Sequence, residues 1–339
     1  MPGMKVVYTP RHLAHDVTHE TYLGLAVPAS EVAERAERIR ASLVADGGFE
    51  LVDPTDHGLD PILAVHDSDF VRHLQTIYAE NAAFFKKNEP VYSEVFPTRG
   101  WRHRPRGFLG RTGWYAFGAG TPITAGTWQA AYWSAQCALS AADLVRATGE
   151  TAYALCRPPG HHAAANLYGG FCYLNNAAIA ARALGPQVAV LDIDYHHGNG
   201  TQEIFYSDPA VLFCSLHADP EDDYPYYWGG ADERGQGPGE GFNRNFPLAQ
   251  GTDDDTFLRA LDAALKFISD FGPRCLIVSA GLDIAAGDAA GGFAITPAGF
   301  SAIGRQMAAL KLPTLLVQEG GYLLEKLGEN AVALLQGFA

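Results

Sequence analysis

Short apolar runs that end abruptly in polar residues recur along this chain. The run at residues 188–191 is followed at once by Asp192, Asp194 and His196, and then by a turn of glycine and asparagine. Four apolar residues rich in valine predict a strand that is buried on both faces, as in a parallel sheet. Ligands and catalytic groups of open α/β sheets lie just beyond the carboxyl ends of such strands. The polar residues at strand ends are therefore the first candidates for function.

The same pattern predicts further strands, and a helical period predicts the segments between them. The predicted strands are residues 5–8, 152–156, 188–191, 211–216, 275–280 and 314–318. The predicted helices are residues 31–44, two short helices within 60–78, residues 128–147, a helix entered through Asn175 and Asn176, and residues 256–271. Strands that alternate with helices indicate right-handed crossovers in a parallel sheet. We therefore predict an α/β fold with a central, mostly parallel sheet flanked by helices.

Three stretches have no clean period. Residues 84–127 and 219–247 are rich in glycine and aromatic residues, and loops this long inside a compact domain are usually functional. Residues 9–20 carry His12, His15 and His19 at irregular spacing among polar neighbours, so we predict a solvated loop there rather than a metal site.

Composition narrows the class of protein. The chain has 339 residues, of which 47% are hydrophobic and 18% charged, and no linker-like break, so we expect one domain over residues 1–339. The net charge of −14 argues against a nucleic-acid surface. No run is apolar enough to predict a membrane span, and the N-terminus resembles no signal peptide. Five scattered cysteines predict buried thiols rather than disulfides. The predicted absence of a membrane span, a signal peptide and disulfides favours a cytoplasmic enzyme.

Four predicted strands carry chemically capable residues at their carboxyl ends. These residues are His161 and His162, then Asp192, Asp194 and His196, then Asp283, and finally Tyr322. A lone aspartate after a strand is more often a helix cap, and a histidine pair is more often core or surface than catalytic. Their joint placement at one edge of one sheet favours a shared site.

The residue types at this edge match metal-assisted amide hydrolysis. Asp194, His196 and Asp283 offer one nitrogen and two carboxylate ligands, and they leave positions open for water and substrate. Zinc, iron(II), cobalt and manganese all suit these ligands. His161 or His162 would exchange protons with the water and the leaving nitrogen, and Tyr322 would donate a hydrogen bond to the developing oxyanion.

Two more side chains are predicted to orient the histidines. Asp192 and Asn199 are spaced to accept hydrogen bonds from their rings, whereas His197 has no assigned role. Asparagine adds no negative charge, so the histidine beside Asn199 should be less basic than one beside a carboxylate.

Five motifs resemble those of the histone deacetylase superfamily, and in particular those of bacterial acetylpolyamine amidohydrolases. They read CRPPGHHA, GGFCYLNNAAIA, LDIDYHHGNGTQ, SAGLDIAAGD and EGGY. The resemblance also covers Val65-His66-Asp67 and the PITAGTW segment at residues 122–128. It implies the single-domain arginase–deacetylase fold and a catalytic zinc, with iron(II) or cobalt as alternatives. It makes Asp194, His196 and Asp283 the metal ligands.

The resemblance also implies roles for other residues. His162 matches the general acid/base, His161 its electrostatic partner, and Tyr322 the residue that polarises the amide carbonyl. The substrate tunnel would be lined by Phe171, Tyr224, Gly170 and Gly321. A structural potassium ion would use Asp192, Asp194, His196, Ser215 and Leu216, and a second would use Phe205, Asp208 and Val211. Arg35 matches an arginine near the internal product channel.

The substrate is the part that the motifs leave open. A small N-acyl amine is expected, and the long loop at residues 84–127 could narrow the entrance or contact a second subunit in a homodimer. Relatives specific for acetylpolyamines carry carboxylates where this chain has Leu109 and Gly120. The alternative substrate is thus a neutral or xenobiotic secondary amide. The same loop carries six basic residues: Arg99, Arg102, His103, Arg104, Arg106 and Arg111. They could form a solvated face or a dimer contact, or they could have a functional role.

Two rival functions are predicted to be poor. An arginase-type enzyme with two manganese ions needs paired aspartates, but Ile284 and Ala285 follow Asp283. A catalytically silent binding or sensor protein would be expected to have a damaged site, and every catalytic residue type is present here.

Overall fold

The apolar runs form the centre of a large sheet in the computed structural model, which describes residues 3–98 and 103–338. The strands are β1 (Met4–Val7), β2 (His19–Tyr22), β3 (Leu25–Pro28), β4 (Phe49–Val52), β5 (Ala152–Ala154), β6 (Val188–Asp192), β7 (Val211–Ala218), β8 (Asn243–Leu248), β9 (Cys275–Ala280) and β10 (Thr314–Gln318). Eight of them pair in the order β4-β1-β5-β10-β9-β6-β7-β8, and every pairing within this sheet is parallel. The predicted α/β fold is confirmed.

Helices cover both faces of the sheet. They are α1 (Glu34–Asp46), α2 (Asp60–Leu63), α3 (Ser68–Phe85), α4 (Phe108–Thr112), α5 (Thr127–Thr148), α6 (Asn176–Leu184), α7 (Asn199–Phe205), α8 (Asp254–Phe271), α9 (Pro297–Ala308) and α10 (Leu324–Gln336). Along β6, Val188 and Val190 enter the core beneath α3, α5 and α6, whereas Ala189 and Leu191 enter the core beneath α1, α8, α9 and α10. Successive side chains of a strand alternate between faces, so a run that is apolar throughout is buried on both.

The helices described here lack the combination of length and apolarity that crossing a membrane requires.

Four strands lie where the pattern predicts no strand: the antiparallel pair β2–β3, and β4 and β8 of the large sheet. β4 and β8 are the outer strands of the sheet, and β8 falls inside the stretch 219–247 that we predict to be irregular. The sequence of β8, NRNFPL, contains a proline that cannot donate to a ladder, and proline is tolerated at a sheet edge. Edge strands are half-covered, so their apolar signal is weak.

The N-terminal loop differs most from its prediction. His12 and His15 are each only 2% exposed, so the solvated-loop prediction is wrong for both. Buried Arg157 donates from Nη1 to the carbonyl oxygen of His12 at 2.9 Å and from Nη2 to that of His15 at 3.0 Å. His15 also pairs with the Thr127 hydroxyl at 2.9 Å. The loop is therefore part of the wall behind the carboxyl ends of the strands. Of its three histidines, only His19 is exposed.

Candidate active site

The three predicted metal ligands converge at the carboxyl ends of β6 and β9. These strands are neighbours with Asp192 opposite Ser279, so the segments that follow them lie side by side. One ligand atom each from Asp194, His196 and Asp283 can be chosen so that all lie within 4.8 Å of one another. His196 Nδ1 is 3.2 Å from a carboxylate oxygen of each aspartate.

The surroundings of the two aspartates fit a bound cation. The Gly320 N–H donates to one oxygen of Asp194 at 2.8 Å, and the Tyr195 N–H donates to one oxygen of Asp283 at 2.9 Å. Asp283 Oδ2 is buried and accepts no hydrogen bond in the described part of the chain. Burial and the neighbouring Asp194 raise the pKa of Asp283 to about 7. Two buried carboxylates this close repel each other, and a divalent ion between them would remove that repulsion.

The two adjacent histidines are held by different partners. His161 Nδ1 is 3.0 Å from Asp192 Oδ2, and His162 Nδ1 is 2.6 Å from Asn199 Oδ1. The ring centroids of the two histidines are 4.0 Å apart. Because each Nδ1 is engaged, Nε2 is the nitrogen left for chemistry, and that of His161 lies 3.8 Å from Asp194 Oδ1.

The two histidines differ in the direction of their pKa shifts. Burial lowers the pKa of His161, but the carboxylates of Asp194 and Asp192 outweigh it and raise the pKa to about 10. Burial and the charges of His161 and His196 hold the pKa of His162 well below its usual range. A charged His161 beside a neutral His162 leaves His162 as the group that can accept a proton.

A tight turn after β10 presents Tyr322. Gly321 has φ of +121°, a conformation that favours glycine, and Tyr322 N–H donates to Asp288 Oδ2 at 2.7 Å. Arg35 holds the same turn by donating to the carbonyl oxygens of Gly321 at 2.5 Å and Glu319 at 2.7 Å. The Arg35 guanidinium carbon also lies 4.5 Å from the centre of the Tyr322 ring.

The predicted tunnel residues surround this group. Tyr224 lies 5.2 Å from His162 and Phe171 lies 5.8 Å from Tyr322, measured between ring centroids. Gly170 has φ of +55°, and a Cβ atom there would overlap the imidazole of His162. Gly170 therefore lies directly against His162, with no room for a side chain, and its tunnel role remains a prediction.

The residues predicted to bind potassium lie on the other side of β6. Asp192 is opposite Ser215 in the β6–β7 pair, and Leu216 is fully buried in β7. At the α7–β7 connection, Asp208 N–H donates to the Phe205 carbonyl at 2.9 Å, and β7 then begins at Val211. Their potassium roles remain predictions.

The pattern of strand ends singles out neither Glu319 nor Asp288 as a functional residue. Glu319 is fully buried, and its Oε2 accepts the backbone N–H groups of Gly160 at 2.6 Å and His161 at 3.1 Å. Burial raises the pKa of Glu319 to about 7, although the positive charge of His161 lowers it. The available signal was its position as the first residue of the EGGY turn, directly after a strand.

Among the described basic residues of the long loop, two are paired with carboxylates. Arg104 pairs with Asp69 at 2.7 Å and Arg111 pairs with Glu80, so both join the loop to α3. Leu109 is 60% exposed on α4. Gly120 leaves little room for a side chain, because a Cβ atom there would lie 3.2 Å from the carbonyl oxygen of Thr21. Arg99 and Arg102 lie outside the described residues.

Comparisons with known proteins agree with this geometry. The family model for the histone deacetylase domain matches residues 29–338. Acetylpolyamine amidohydrolase 1 of Pseudomonas aeruginosa is 44% identical over 99% of this chain and 99% of its own length. The acetylpolyamine amidohydrolase of Mycoplana ramosa is 39% identical over 99% of this chain and 100% of its own.

Solved structures give the same result. A crystal structure of acetylpolyamine aminohydrolase from Burkholderia pseudomallei superposes with a TM-score of 0.95 at 42% identity, covering 99% of this chain and 98% of that one. The HDA15 HD domain superposes with a TM-score of 0.82 at 31% identity, covering 99% and 90% of the two chains. The motifs, the fold and the full-length matches together show that this chain belongs to the histone deacetylase family.

Proposed function

We propose that this protein hydrolyses the amide bond of a small N-acyl amine of the acetylpolyamine class, with a divalent metal held by Asp194, His196 and Asp283. The observation that carries the proposal is the convergence of this triad with two adjacent histidines and a tyrosine. Relatives that are named acetylpolyamine amidohydrolases match nearly the whole chain, which supports the substrate class.

The residues of the chain divide the chemistry among themselves. A metal ion bound by the triad would polarise the substrate carbonyl and make a water molecule more acidic. His162 accepts a proton of the attacking water at Nε2 and passes it to the leaving nitrogen, so that a carboxylic acid and an amine are released, which ionise to a carboxylate and an ammonium. The Tyr322 hydroxyl donates a hydrogen bond to the oxygen on which negative charge develops.

Two other groups hold these side chains in place. Asn199 fixes the ring of His162, while charged His161 stabilises negative charge beside the site. Arg35 fixes the turn that carries Tyr322, and its position behind the site is consistent with a channel for the released acid.

Zinc is the metal we propose first, with iron(II) or cobalt as alternatives, because one imidazole and two carboxylates suit all three. Potassium ions at the two predicted sites would be structural. We also propose a homodimer in the cytoplasm. Exposed apolar side chains on the β2–β3 hairpin, such as Leu23 and Leu25, support the homodimer, and buried free cysteines support a reducing compartment.

The function is tested with a panel of N-acyl amines that vary in charge and acyl length, assayed with zinc, iron(II) and cobalt. We expect hydrolysis of acetylputrescine that a chelator abolishes and that Tyr322→Phe lowers at least about a hundredfold, because the oxyanion donor is lost. Tight metal binding without turnover of any amide would instead support the silent binding role.

A further inference from the structure

A continuous band of aromatic rings leads outward from the candidate active site. Tyr224, whose ring lies beside His162, stacks on Phe117 with centroids 6.4 Å apart and an angle of 19° between the rings. Trp228 packs edge-on against Phe117, with the ring centroids 6.2 Å apart. The tunnel wall thus continues beyond the predicted pair Phe171 and Tyr224.

Two tyrosines extend the band to the surface. Tyr226 lies 6.3 Å from Tyr224, and Tyr227 lies 6.4 Å from both Tyr226 and Trp228, between centroids. Tyr226 and Tyr227 are 55% and 84% exposed. We name Phe117, Tyr224, Tyr226, Tyr227 and Trp228 the aromatic rim.

The rim is formed by two loops that the rest of the molecule holds in place. Phe117 N–H donates to the Tyr168 carbonyl at 3.1 Å, and its ring fills the space that a Cβ on Gly169 would need. The other four rings lie within residues 224–228. The end of that segment is anchored by Gly229 N–H, which donates to Glu233 at 3.0 Å, and Glu233 in turn accepts from Gln202 at 2.5 Å.

Carboxylates precede and follow the rim residues 224–228 in the sequence. They are Asp219, Glu221, Asp222, Asp223 and Asp232. Within residues 3–98 and 103–338, none of these five forms a salt bridge, and Glu221 and Asp222 are exposed. Asp223 accepts from Gln250 at 2.9 Å. The negative potential of these groups favours cations at the rings, and the faces of aromatic rings attract cations themselves.

We propose that the aromatic rim is a specificity subsite that binds the protonated distal part of an elongated amine while its acylated end lies in the active site. This inference rests on the proposed function and specifies its substrate. It assigns recognition of the positive charge to the rings of the rim and to the carboxylates of residues 219–232, because Leu109 and Gly120 offer no carboxylate. A neutral alkyl amide would gain only apolar contact there.

The experiment compares three substrates of the metal-loaded enzyme: monoacetylspermidine, acetylputrescine and neutral N-pentylacetamide, which matches acetylputrescine in length. Tyr226→Leu, Tyr227→Leu and Trp228→Leu keep an apolar side chain but remove the aromatic face. For the two cationic substrates we expect each variant to lower kcat/KM about three- to tenfold, mainly through KM, with the larger loss for monoacetylspermidine. For N-pentylacetamide we expect a change of less than about twofold.

Phe271→Leu is the matched control. Phe271 ends α8 shortly before β9 begins, so it lies near the amino ends of the strands, whereas the active site lies at their carboxyl ends. Equal losses for charged and neutral substrates would overturn the subsite while leaving amide hydrolysis standing. A wild-type enzyme that turns over none of the three would overturn the proposed function together with the subsite. If Tyr227→Leu changes the oligomeric state in sedimentation velocity but not kcat/KM, the rim is a subunit interface and the inference is wrong.

Discussion

At the residue scale, the site depends on positions where a side chain is excluded. Gly170 and Gly237 share a φ of +55°, but a Cβ on Gly170 would overlap His162, whereas a Cβ on Gly237 would meet nothing within 4 Å. The pair therefore separates backbone strain from damage to the active site.

We expect Gly170→Ala to lower kcat at least about a hundredfold by displacing His162, and Gly237→Ala to leave kcat within about twofold. Both substitutions should destabilise the fold by about 1 kcal/mol through the left-handed backbone conformation. Steady-state kinetics and urea unfolding test this. Equal kinetic effects of the two substitutions would contradict the assigned contact.

Glu319 is a second residue that acts through its neighbours. Its carboxylate holds the backbone of Gly160 and His161, while its own carbonyl oxygen accepts from Arg35. It thereby connects the loop of the paired histidines to the turn of Tyr322.

We expect Glu319→Leu to lower kcat much more than it raises KM, and to destabilise the fold by about 2–4 kcal/mol, because two buried N–H groups lose their acceptor. Glu319→Gln retains one acceptor oxygen and should recover most of the stability. Measurements of kcat, KM and Tm on both variants test this, and a loss confined to KM would refute the positioning role.

At the element scale, His66 joins the α2–α3 connection to α6. Asn175 N–H donates to His66 Nε2 at 2.9 Å, and the Asn175 side chain caps α6 by accepting from Ala178 N–H at 2.9 Å. Burial lowers the pKa of His66 from 6.5 to about 4. The folded protein thus keeps His66 neutral at a pH where the unfolded chain binds a proton.

This difference predicts how stability depends on pH. As the pH falls from 6.5 towards 4, the unfolded state takes up a proton that folded His66 refuses, so stability is lost across this window and not above it. Relative to His66→Gln, the wild type should lose up to about 1.4 kcal/mol per pH unit. Urea unfolding of both proteins at neutral pH and at about pH 5 tests this; parallel losses would contradict it.

The wall behind the site depends on a second buried contact between elements. Arg157 Nε donates to Glu31 Oε1 at 2.9 Å, and Arg35 donates to the same oxygen at 2.8 Å. All three side chains are buried. The end of β5 is thereby fixed to α1 and to the loop that carries His12 and His15.

We expect Arg157→Met to destabilise the fold by about 3–5 kcal/mol, because it removes one of the two arginines that pair with buried Glu31 and leaves three buried carbonyl groups without their donor. Arg40→Met, at a half-buried ion pair on α1, should cost less than about 1 kcal/mol. Chemical denaturation of both variants tests the contrast.

At the scale of the whole molecule, the metal site joins segments that are distant in the chain. A ligand that binds only the folded state stabilises it, by about 4 kcal/mol at a thousand times its Kd. We therefore expect the Tm to fall on chelation and to recover on addition of zinc. In Asp283→Ala the Tm should not respond to the metal, and an unchanged response there would refute the ligand assignment.

Much of the fold and the site follows from the sequence for a local reason. A run buried on both faces of a parallel sheet must be apolar throughout, so β6, β7, β9 and β10 are visible without a structure. The edge strands β4 and β8 are not, because they are half-covered. α9 and α10 also escape the pattern, since Gly304 stands where α9 packs against α10, and Gly328 where α10 packs against α1, too closely for a side chain.

The sequence by itself determined the central strands, the polar groups at their carboxyl ends and the motifs that indicate the family, because each depends on neighbours in the chain. Only the tertiary structure decided which of those groups meet. The parallel pairing of β6 with β9 brings Asp283 to Asp194, and the packing of two long loops brings Phe117 to Trp228. Burial likewise became visible only there. Contacts between distant segments, rather than the local pattern, bury Glu319 and His15. Burial then raises the pKa of Glu319 and lowers the pKa of His15.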